Sequence, residues 1–375
     1  MAGLTWGFTV GTLNRPDVLE RAVALALLQT RPPVEITIVD GSHDWAATRD
    51  RIAAIVARHP ETRLIYEPTT NPSSSRQRNR AVELATQSDI VFVVDDDTLL
   101  FPETAETVLK VFEADADRVL QAAALTETVE MPGEADGSGS RIAAERRQST
   151  EDKRAIRSLT GVLKRLGLLS WVRRHILLHD LEERLVPYDG AWHHHPLPPP
   201  LQHFNISWVH LIQGSELVCR RDRFLAERFC DDMEASSSGH DIDLCYRLSR
   251  AGPLCRVPDA LYHHLQATGG RIDRHKHTLL QAMNTVVLTR RFAPDPASVQ
   301  GRLRLHMARR LLADGLSDLF AGRFGFPKAR ADLTAIGFLG DVFRSSREEV
   351  DRWYVDAQRR VLAQEPPGSP SSGGR

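Results

Sequence analysis

Over the first hundred residues, short runs rich in β-branched and aromatic residues alternate with segments long enough to form helices. Strands are predicted at 5–12, 35–39 and 89–94, and helices over about 45–58 and 76–86. Strands that are joined through helices in this way lie parallel, with right-handed crossovers and a helix layer on both faces of the sheet. The pattern therefore predicts an α/β fold with a mostly parallel sheet.

Two of the predicted strands end in acidic residues. Asp40 closes the run EITIVD, and Asp95, Asp96 and Asp97 follow the apolar run IVFVV. The carboxyl ends of parallel strands meet at one edge of the sheet, where ligands bind. Three adjacent carboxylates repel one another, and a hard divalent cation relieves that repulsion while keeping positions open for phosphate oxygens. A cation site at this edge is predicted; a solvated turn, or a cap for the helix after Pro102, is the alternative.

Two later segments carry further candidate groups. In GHDIDLCYRLSRAG the spacing predicts a helix with Asp241 in its first turn, where a carboxylate is electrostatically favoured and can serve as a general base. Ordinary N-terminal capping is the alternative. In ALYHH, His263 and His264 follow an apolar run, and a neutral imidazole is a suitable ligand for the same cation. The adjacent histidines at 193–195 are predicted to lie in a loop.

Charge and cysteine usage narrow the class of protein. The formal net charge of −1 gives no overall indication of nucleic-acid binding. The four cysteines are widely spaced without a CxxC pair, which favours reduced thiols in a cytoplasmic protein over a zinc site or a disulfide framework. The first residues lack the pattern of a signal peptide, and no run of about 18 apolar residues is present. The chain is therefore predicted to be cytoplasmic, and either soluble or peripheral at the inner membrane face.

After residue 128 the composition changes. A Gly-rich linker leads into a long helical pattern at 157–185 with basic residues beside an apolar stripe, which predicts either packing on the protein or peripheral contact with an anionic membrane. The expected organisation is a catalytic domain with a helical insertion, a helical C-terminal extension with three amphipathic stretches after Pro294, and a disordered tail. The predicted ranges are 1–295 for the catalytic domain (1–128, 129–205 and 206–295 as its parts), 296–363 for the extension and 364–375 for the tail.

In their order along the chain, these segments resemble the glycosyltransferases of GT-A fold, in particular family two. TVGTLNRPDVLERAVALALLQTRPPVEITIVDGS is similar to the opening of the family, and NPSSSRQRNRAVELATQSDIVFVVDDDT is similar to the segment that ends in its DxD-type metal motif. GSELVCRRDRF and GHDIDLCYRLSRAG resemble its acceptor-side segment and catalytic-base helix, and VPDALYHH resembles a stretch that often carries a histidine near the diphosphate. The resemblance covers roughly residues 5–292.

The resemblance implies a role for individual positions. Asp241 would be the catalytic base, and Asp97 with Asp95 and His263 would bind Mn²⁺ or Mg²⁺. His240 stands where the family has the Glu of a Glu–Asp pair, which is a departure from its pattern. The implied acceptor-side residues are His240, Asp243 and Gly214. The implied donor-site residues are Thr9, Thr12, Asn14, Asp40, Arg76, Asn79, Asp95 and Asp96.

The implied reaction is transfer of a sugar, with inversion, from a nucleotide-diphosphate donor to an acceptor hydroxyl. Carbohydrate, lipid-linked and small-molecule acceptors all remain open. One alternative is a sugar-1-phosphate nucleotidyltransferase, which the loop GTLNRPD disfavours because it holds one glycine and one arginine. The other is a degenerate scaffold or carbohydrate-binding subunit, which only His240 favours. The oligomeric state is left undecided.

Overall fold

The computed structural model describes residues 3–132, 185–235, 239–266 and 272–368. The chain divides into two compact units, Met1–Pro132 with Trp192–Ile272 and Gly133–Ala191 with Asp273–Arg375. The carboxyl-terminal segment of the second unit begins at Asp273, and the predicted end of the catalytic domain at residue 295 stays a prediction. The predicted helix at 157–185 lies outside the described residues except for Leu185, and the last seven residues of the tail lie outside them as well.

The first unit contains the alternating strands and helices that the sequence pattern predicts, with boundaries shifted by one or two residues. Its strands are β1 (Trp6–Thr12), β2 (Glu35–Asp40), β3 (Arg63–Pro68), β4 (Ile90–Asp95), β5 (Thr98–Leu100), β6 (Ala122–Glu127), β7 (Ser207–Trp208), β8 (Leu217–Arg220) and β9 (Leu254–His264). Its helices are α1 (Pro16–Leu27), α2 (Trp45–Val56), α3 (Ser74–Leu84), α4 (Thr104–Ala114), α5 (Arg221–Glu227) and α6 (His240–Ser249).

The strands of this unit form one mixed sheet in the order β3-β2-β1-β4-β8-β6-β9-β5, with β7 paired to β9. The amino-terminal half, β3-β2-β1-β4, is parallel throughout. β8 runs antiparallel to both β4 and β6, and β9 pairs parallel with β6. The predicted α/β class is confirmed.

Helices cover both faces of this sheet, as the residues of β4 illustrate. Ile90, Phe92 and Val94 pack into one apolar core with α1, α2 and α4. Val91 and Val93 point to the other face and pack into a second core with α3, α5 and α6. Side chains alternate along a strand, so a continuous apolar run is the pattern of a strand that is buried on both faces.

The second unit is helical over most of its described residues from Asp273 onward. It contains α7 (Arg274–Phe292), α8 (Pro296–Phe320), α9 (Pro327–Arg344) and α10 (Arg347–Leu362). The three helices predicted after Pro294 are confirmed, and α7 was not predicted. Its core includes Met283, Met307, Phe338 and Tyr354, and the Tyr354 hydroxyl donates to Asn284 Oδ1 at 2.7 Å. Across the described residues, we find no helix with the length and apolarity needed to span a membrane.

Candidate active site

The carboxyl ends of β1, β2 and β4 bring the predicted acidic residues to one edge of the sheet. In the strand register, Thr12 pairs with Asp40 and Gly11 pairs with Asp95. Asp40 and Asp95 therefore lie two strands apart, on the order of 10 Å. Gln77 of α3 holds this edge together, because its amide donates to the backbone carbonyl groups of Thr12 at 2.8 Å and of Val39 at 2.9 Å.

The acidic triplet forms the turn between β4 and β5, and its members have different surroundings. Asp96 is fully buried; the Thr12 hydroxyl donates to its Oδ2 at 2.6 Å, and Arg15 Nη2 lies 2.6 Å from its Oδ1. Burial raises the pKa of Asp96 to about 7, although Arg15 and the Thr12 hydroxyl both oppose that rise. Asp96 is thus enclosed by the first loop of the chain.

Asp95 and Asp97 meet His264 of β9. His264 Nε2 lies 3.2 Å from Asp97 Oδ1 and 3.9 Å from Asp95 Oδ2. One potential ligand atom from each of the three residues lies within 4.8 Å of the others. Burial disfavours protonation of His264, but the hydrogen bond to Asp97 and the charges of both carboxylates outweigh it, so the pKa of His264 is raised. Two carboxylates and one imidazole are a donor set that suits Mn²⁺ or Mg²⁺, so these residues fit the implied cation.

The histidine at this cluster is His264, whereas His263 was the predicted ligand. His263 is 2% exposed, and its Nδ1 lies 3.0 Å from the Thr128 carbonyl oxygen. Adjacent side chains on a strand point to opposite faces. Thr98 of β5 pairs with His264, so His264 lies across from the first residue after the acidic turn, and its side chain contacts Asp97.

Arg78 of α3 connects the acidic turn to the start of α6. Its guanidinium forms an ion pair with Asp95, and its Nη1 lies 2.5 Å from His240 Nε2. Arginine has no acceptor atom, so this is a hydrogen bond when His240 Nε2 is unprotonated and accepts. A Cβ atom at Gly214 would lie 2.6 Å from Arg78 Nη1, so glycine is what allows this close approach. Gly214 and His240, both predicted on the acceptor side, therefore meet at Arg78.

Asp241 follows His240 in the first turn of α6 and is half-buried. One oxygen of its carboxylate, Oδ1, accepts from the Ile242 N–H at 2.9 Å. Asp243 differs, because it is fully buried and its Oδ2 accepts from Arg247 Nη2 at 2.7 Å and from Arg247 Nε at 3.2 Å. The structure therefore places Asp243, predicted on the acceptor side, in a buried ion pair.

The other donor-site residues predicted near the first strands also have partners in the fold. Asp40 is fully buried; its Oδ1 accepts from the Ser42 N–H at 2.7 Å, and its Oδ2 accepts from the Tyr66 hydroxyl. Burial, followed by the contacts with Asp40, raises the pKa of Tyr66. Thr9 lies three residues before the edge and donates to the Phe92 carbonyl at 2.9 Å. Asn14 is exposed in the first loop with a φ of 54°.

Arg76 and Asn79 of α3 contact the segment after α5. Arg76 forms an ion pair with Glu234 at 2.7 Å and donates to the Asp231 carbonyl at 3.1 Å. Asn79 Nδ2 donates to the Phe229 carbonyl at 2.8 Å and to Asp231 Oδ1 at 2.7 Å, while its Oδ1 accepts from the Phe229 N–H at 3.0 Å. These contacts hold the 229–234 segment, whose Phe229 ring packs against His240.

Aromatic rings cluster beside α6. The rings of Trp208 and His210 lie 3.9 Å apart between centroids, His194 lies 4.3 Å from Trp208, and Trp192 lies 5.0 Å from His210 and 5.5 Å from Tyr246 of α6. Burial, followed by His194, lowers the pKa of His210 to about 4, so this ring is uncharged at neutral pH. We call these five residues the aromatic cluster.

A short segment leads from the aromatic cluster to Arg78. Ile212 forms two hydrogen bonds with Cys245 of α6. Its N–H donates to Cys245 Sγ at 3.3 Å, and its carbonyl oxygen accepts from Cys245 Sγ at 3.4 Å. Gly214 then lies against Arg78. Gly214 comes four positions after His210, a span of at most about 14 Å. The aromatic cluster and the acidic turn therefore lie near opposite ends of one short segment.

Two basic residues of the site were not selected from the sequence, namely Arg15 and Arg78. Arg15 lies 2.6 Å from Asp96 and 3.6 Å from Asp97, and Arg78 pairs with Asp95. A signal for both exists, because three neighbouring carboxylates need counter-charges. The sequence does not tell which of the many arginines supply them, since that depends on how the first loop and α3 pack.

Part of the chain matches the sequence model of a known protein family. Residues 9–155 match the family model described as Glycosyl transferase family 2. This range includes the acidic turn but neither Asp241 nor His264. No curated protein sequence matches the chain.

Several solved structures are similar to the chain. The mannosyltransferase PcManGT from Pyrobaculum calidifontis, in complex with GDP-Man and Mn²⁺, is 16% identical with a TM-score of 0.46, and the match covers 97% of this chain and 86% of that one. GalNAc-T7 with UDP, GalNAc and Mn²⁺ is 13% identical with a TM-score of 0.46, and the match covers 82% of this chain and 54% of that one. S. aureus TarS is 13% identical with a TM-score of 0.47, and the match covers 96% of this chain and 53% of that one.

The match therefore spans about half of the GalNAc-T7 and TarS chains. The family assignment rests on the sequence match at 9–155, which contains the first two segments of the resemblance, including the DDD motif, and not the three segments after residue 213. The predicted family is confirmed over residues 9–155, where this chain carries a glycosyl transferase family 2 domain.

Proposed function

We propose that this protein is a metal-dependent, inverting glycosyltransferase that moves a sugar from a nucleotide-diphosphate donor to an acceptor hydroxyl. The observation that carries the proposal is the convergence of Asp95, Asp97 and His264 at the edge of the sheet. Arg78 links this group to His240, the residue before Asp241. A cation-binding group and a candidate base are thus two side-chain contacts apart.

The residues of the site have separate roles in this proposal. Asp95, Asp97 and His264 hold Mn²⁺ or Mg²⁺, which when bound supplies positive charge for the leaving diphosphate. Asp241 accepts the proton of the acceptor hydroxyl as the acceptor oxygen bonds to the anomeric carbon and the bond from that carbon to the diphosphate oxygen breaks. Thr12, Asn14, Asp40 and Asp96 remain the predicted donor-site residues of the strand edge.

His240 has a positioning role in this proposal. Arg78 is 5% exposed at its side chain and joins Asp95 to His240. The His240 ring takes the contact with Arg78 at this position, with its Nε2 as the acceptor. The departure from the Glu–Asp pair therefore leaves the start of α6 connected to the acidic turn, which supports an active enzyme over a degenerate scaffold.

The aromatic cluster favours a carbohydrate among the acceptors that the sequence left open. Pyranose rings have an apolar C–H face that packs on aromatic rings, and Trp192 and Trp208 are both half-buried. The segment through Ile212 and Gly214 connects this cluster to the site. We therefore propose a glycan acceptor whose distal sugar ring contacts the cluster. A cytoplasmic location stays a prediction, which the four cysteines support because they form no disulfide within the described residues.

The test is a thermal-shift panel of nucleoside diphosphates and nucleotide sugars, with and without Mn²⁺. A ligand that binds only the native state stabilises it by mass action, by about 2.7 kcal/mol at a concentration of 100 times its Kd, and so raises the melting temperature. We expect a Mn²⁺-dependent shift with one nucleotide base, which Asp97→Ala abolishes. Folded protein that shows no shift with any nucleotide would instead support the scaffold alternative.

A further inference from the structure

A basic and apolar surface lies on the outer side of α8 and on the turn that follows it. Leu305, Leu312 and Leu319 are 53%, 50% and 46% exposed. Residues seven apart lie on one face of a helix, so the three leucines form a stripe. Phe320 and Phe324 continue it and are 68% and 77% exposed. We call these five residues the α8 apolar surface.

Phe320 ends α8 and Phe324 lies in the turn after it, and this turn is fixed to the helices on either side. Asp318 is fully buried, and its Oδ2 accepts from the Lys328 N–H at 2.7 Å. The Arg323 N–H donates to the Asp318 carbonyl at 2.8 Å. The backbone that carries Phe320 and Phe324 is therefore fixed by hydrogen bonds to Asp318, and both side chains are exposed.

The segment that carries this surface is basic. Residues 296–330 hold seven arginine or lysine residues and two aspartates, a net charge of +5 in a chain whose net charge is −1. Both aspartates are engaged, since Asp314 accepts from Lys328 Nζ at 2.8 Å and Asp318 is buried. Arg304, Arg309 and Arg330 are exposed, and none of them forms an ion pair within the described residues.

We propose that the α8 apolar surface binds an anionic lipid bilayer. Exposed leucines and phenylalanines insert at the boundary between headgroups and acyl chains, and flanking arginines attract the negative headgroups. A second copy of the chain is a poorer partner, because a two-fold interface would bring two basic surfaces together. The proposal does not depend on the proposed sugar transfer. It assigns membrane contact to α8 and is separate from the membrane contact predicted for the 157–185 segment.

Flotation of the full chain with vesicles tests whether the α8 apolar surface binds an anionic bilayer. Vesicles of phosphatidylcholine with 30% phosphatidylserine are compared with pure phosphatidylcholine at low and high salt. We expect binding to the anionic vesicles only, and weaker binding at high salt because exposed charges are screened. Arg304→Gln with Arg309→Gln should weaken the partition about 30-fold. Phe320→Ser with Phe324→Ser should weaken it roughly 100-fold.

The matched control is Val129→Ser, which removes an apolar side chain that is 85% exposed in the other unit. It should leave vesicle binding unchanged. Thermal unfolding checks that every variant is folded, and all substituted side chains are exposed. The proposal is overturned if the wild-type chain does not float with anionic vesicles, or if the phenylalanine variant floats as well as the control. A dimer that the phenylalanine variant abolishes, without vesicle binding, would assign the surface to self-association.

Discussion

Asp241 and Asp243 lie two residues apart on α6, and the same isosteric change should have opposite consequences at the two positions. Asp243→Asn removes the charge that pairs with Arg247, whose side chain is 6% exposed. Breaking a buried ion pair costs about 3–5 kcal/mol. Glu227 Oε2 remains 3.0 Å from Arg247, and the Arg228 carbonyl remains 2.8 Å away. We therefore expect the lower end, about 3 kcal/mol of unfolding free energy.

Asp241→Asn should leave stability almost unchanged and remove catalysis. Asp241 is half-buried and has no cationic partner within the described residues, so its contribution as a helix-terminus carboxylate is below about 1 kcal/mol. Loss of a general base slows the transfer step by roughly 10²–10⁴-fold. Nucleotide binding should persist, because the cation-binding residues are untouched.

Thermal unfolding and a transfer assay separate the two variants. A loss of about 3 kcal/mol lowers the melting temperature by about 6–12 °C for a unit of this size. Release of nucleoside diphosphate from the donor, measured below the melting temperature of both variants, reports transfer to a glycan acceptor. An Asp243→Asn protein as stable as wild type would refute the ion-pair argument. Normal turnover by Asp241→Asn would refute the assignment of the base.

Three further outcomes are expected. His264→Ala should weaken Mn²⁺ binding by about tenfold or more in calorimetry with the metal alone, whereas His263→Ala should not; equal effects would contradict the orientation of β9. Trp208→Ala should raise the KM for a glycan acceptor about tenfold and leave the donor KM unchanged; an unchanged acceptor KM would exclude the aromatic cluster from acceptor binding. Burial, and after it the charges of Arg310 and Arg309, lowers the pKa of His306 from 6.5 to about 4. Below pH 6.5 the unfolded chain therefore binds a proton at this residue that the folded chain does not bind, and the free energy of unfolding decreases. Between pH 7.5 and 5 the loss should be about 2 kcal/mol by thermal unfolding, and His306→Leu should remove most of it.

Much of the first unit follows from local patterns. The run that becomes β4 is apolar at both parities, which is what burial on two faces requires, and the runs that become β1 and β2 are rich in β-branched and aromatic residues. Their parallel arrangement then brings Asp40 and Asp95 to the same edge of the sheet, because parallel strands end on one side. The helix at α6 and the three helices after residue 294 were likewise predicted from spacing alone.

Which side chains complete the site depended on packing between distant segments. His263 and His264 are equivalent by local pattern, and the pairing of β9 with β5 decides that His264 meets Asp97. Asp241 and Asp243 are also similar locally, and the fold buries only Asp243, against Arg247.

The amino-acid sequence by itself determined the family, the α/β class and the acidic edge, because each is written in residues that are neighbours along the chain or follow a regular period. The tertiary structure alone decided the counter-charges of the acidic turn, Arg15 and Arg78, and the position of the aromatic cluster beside α6. The physical reason is that charge pairing and ring contacts act through space over a few ångströms. Residues tens to hundreds of positions apart come that close only when the sheet and its helices have packed.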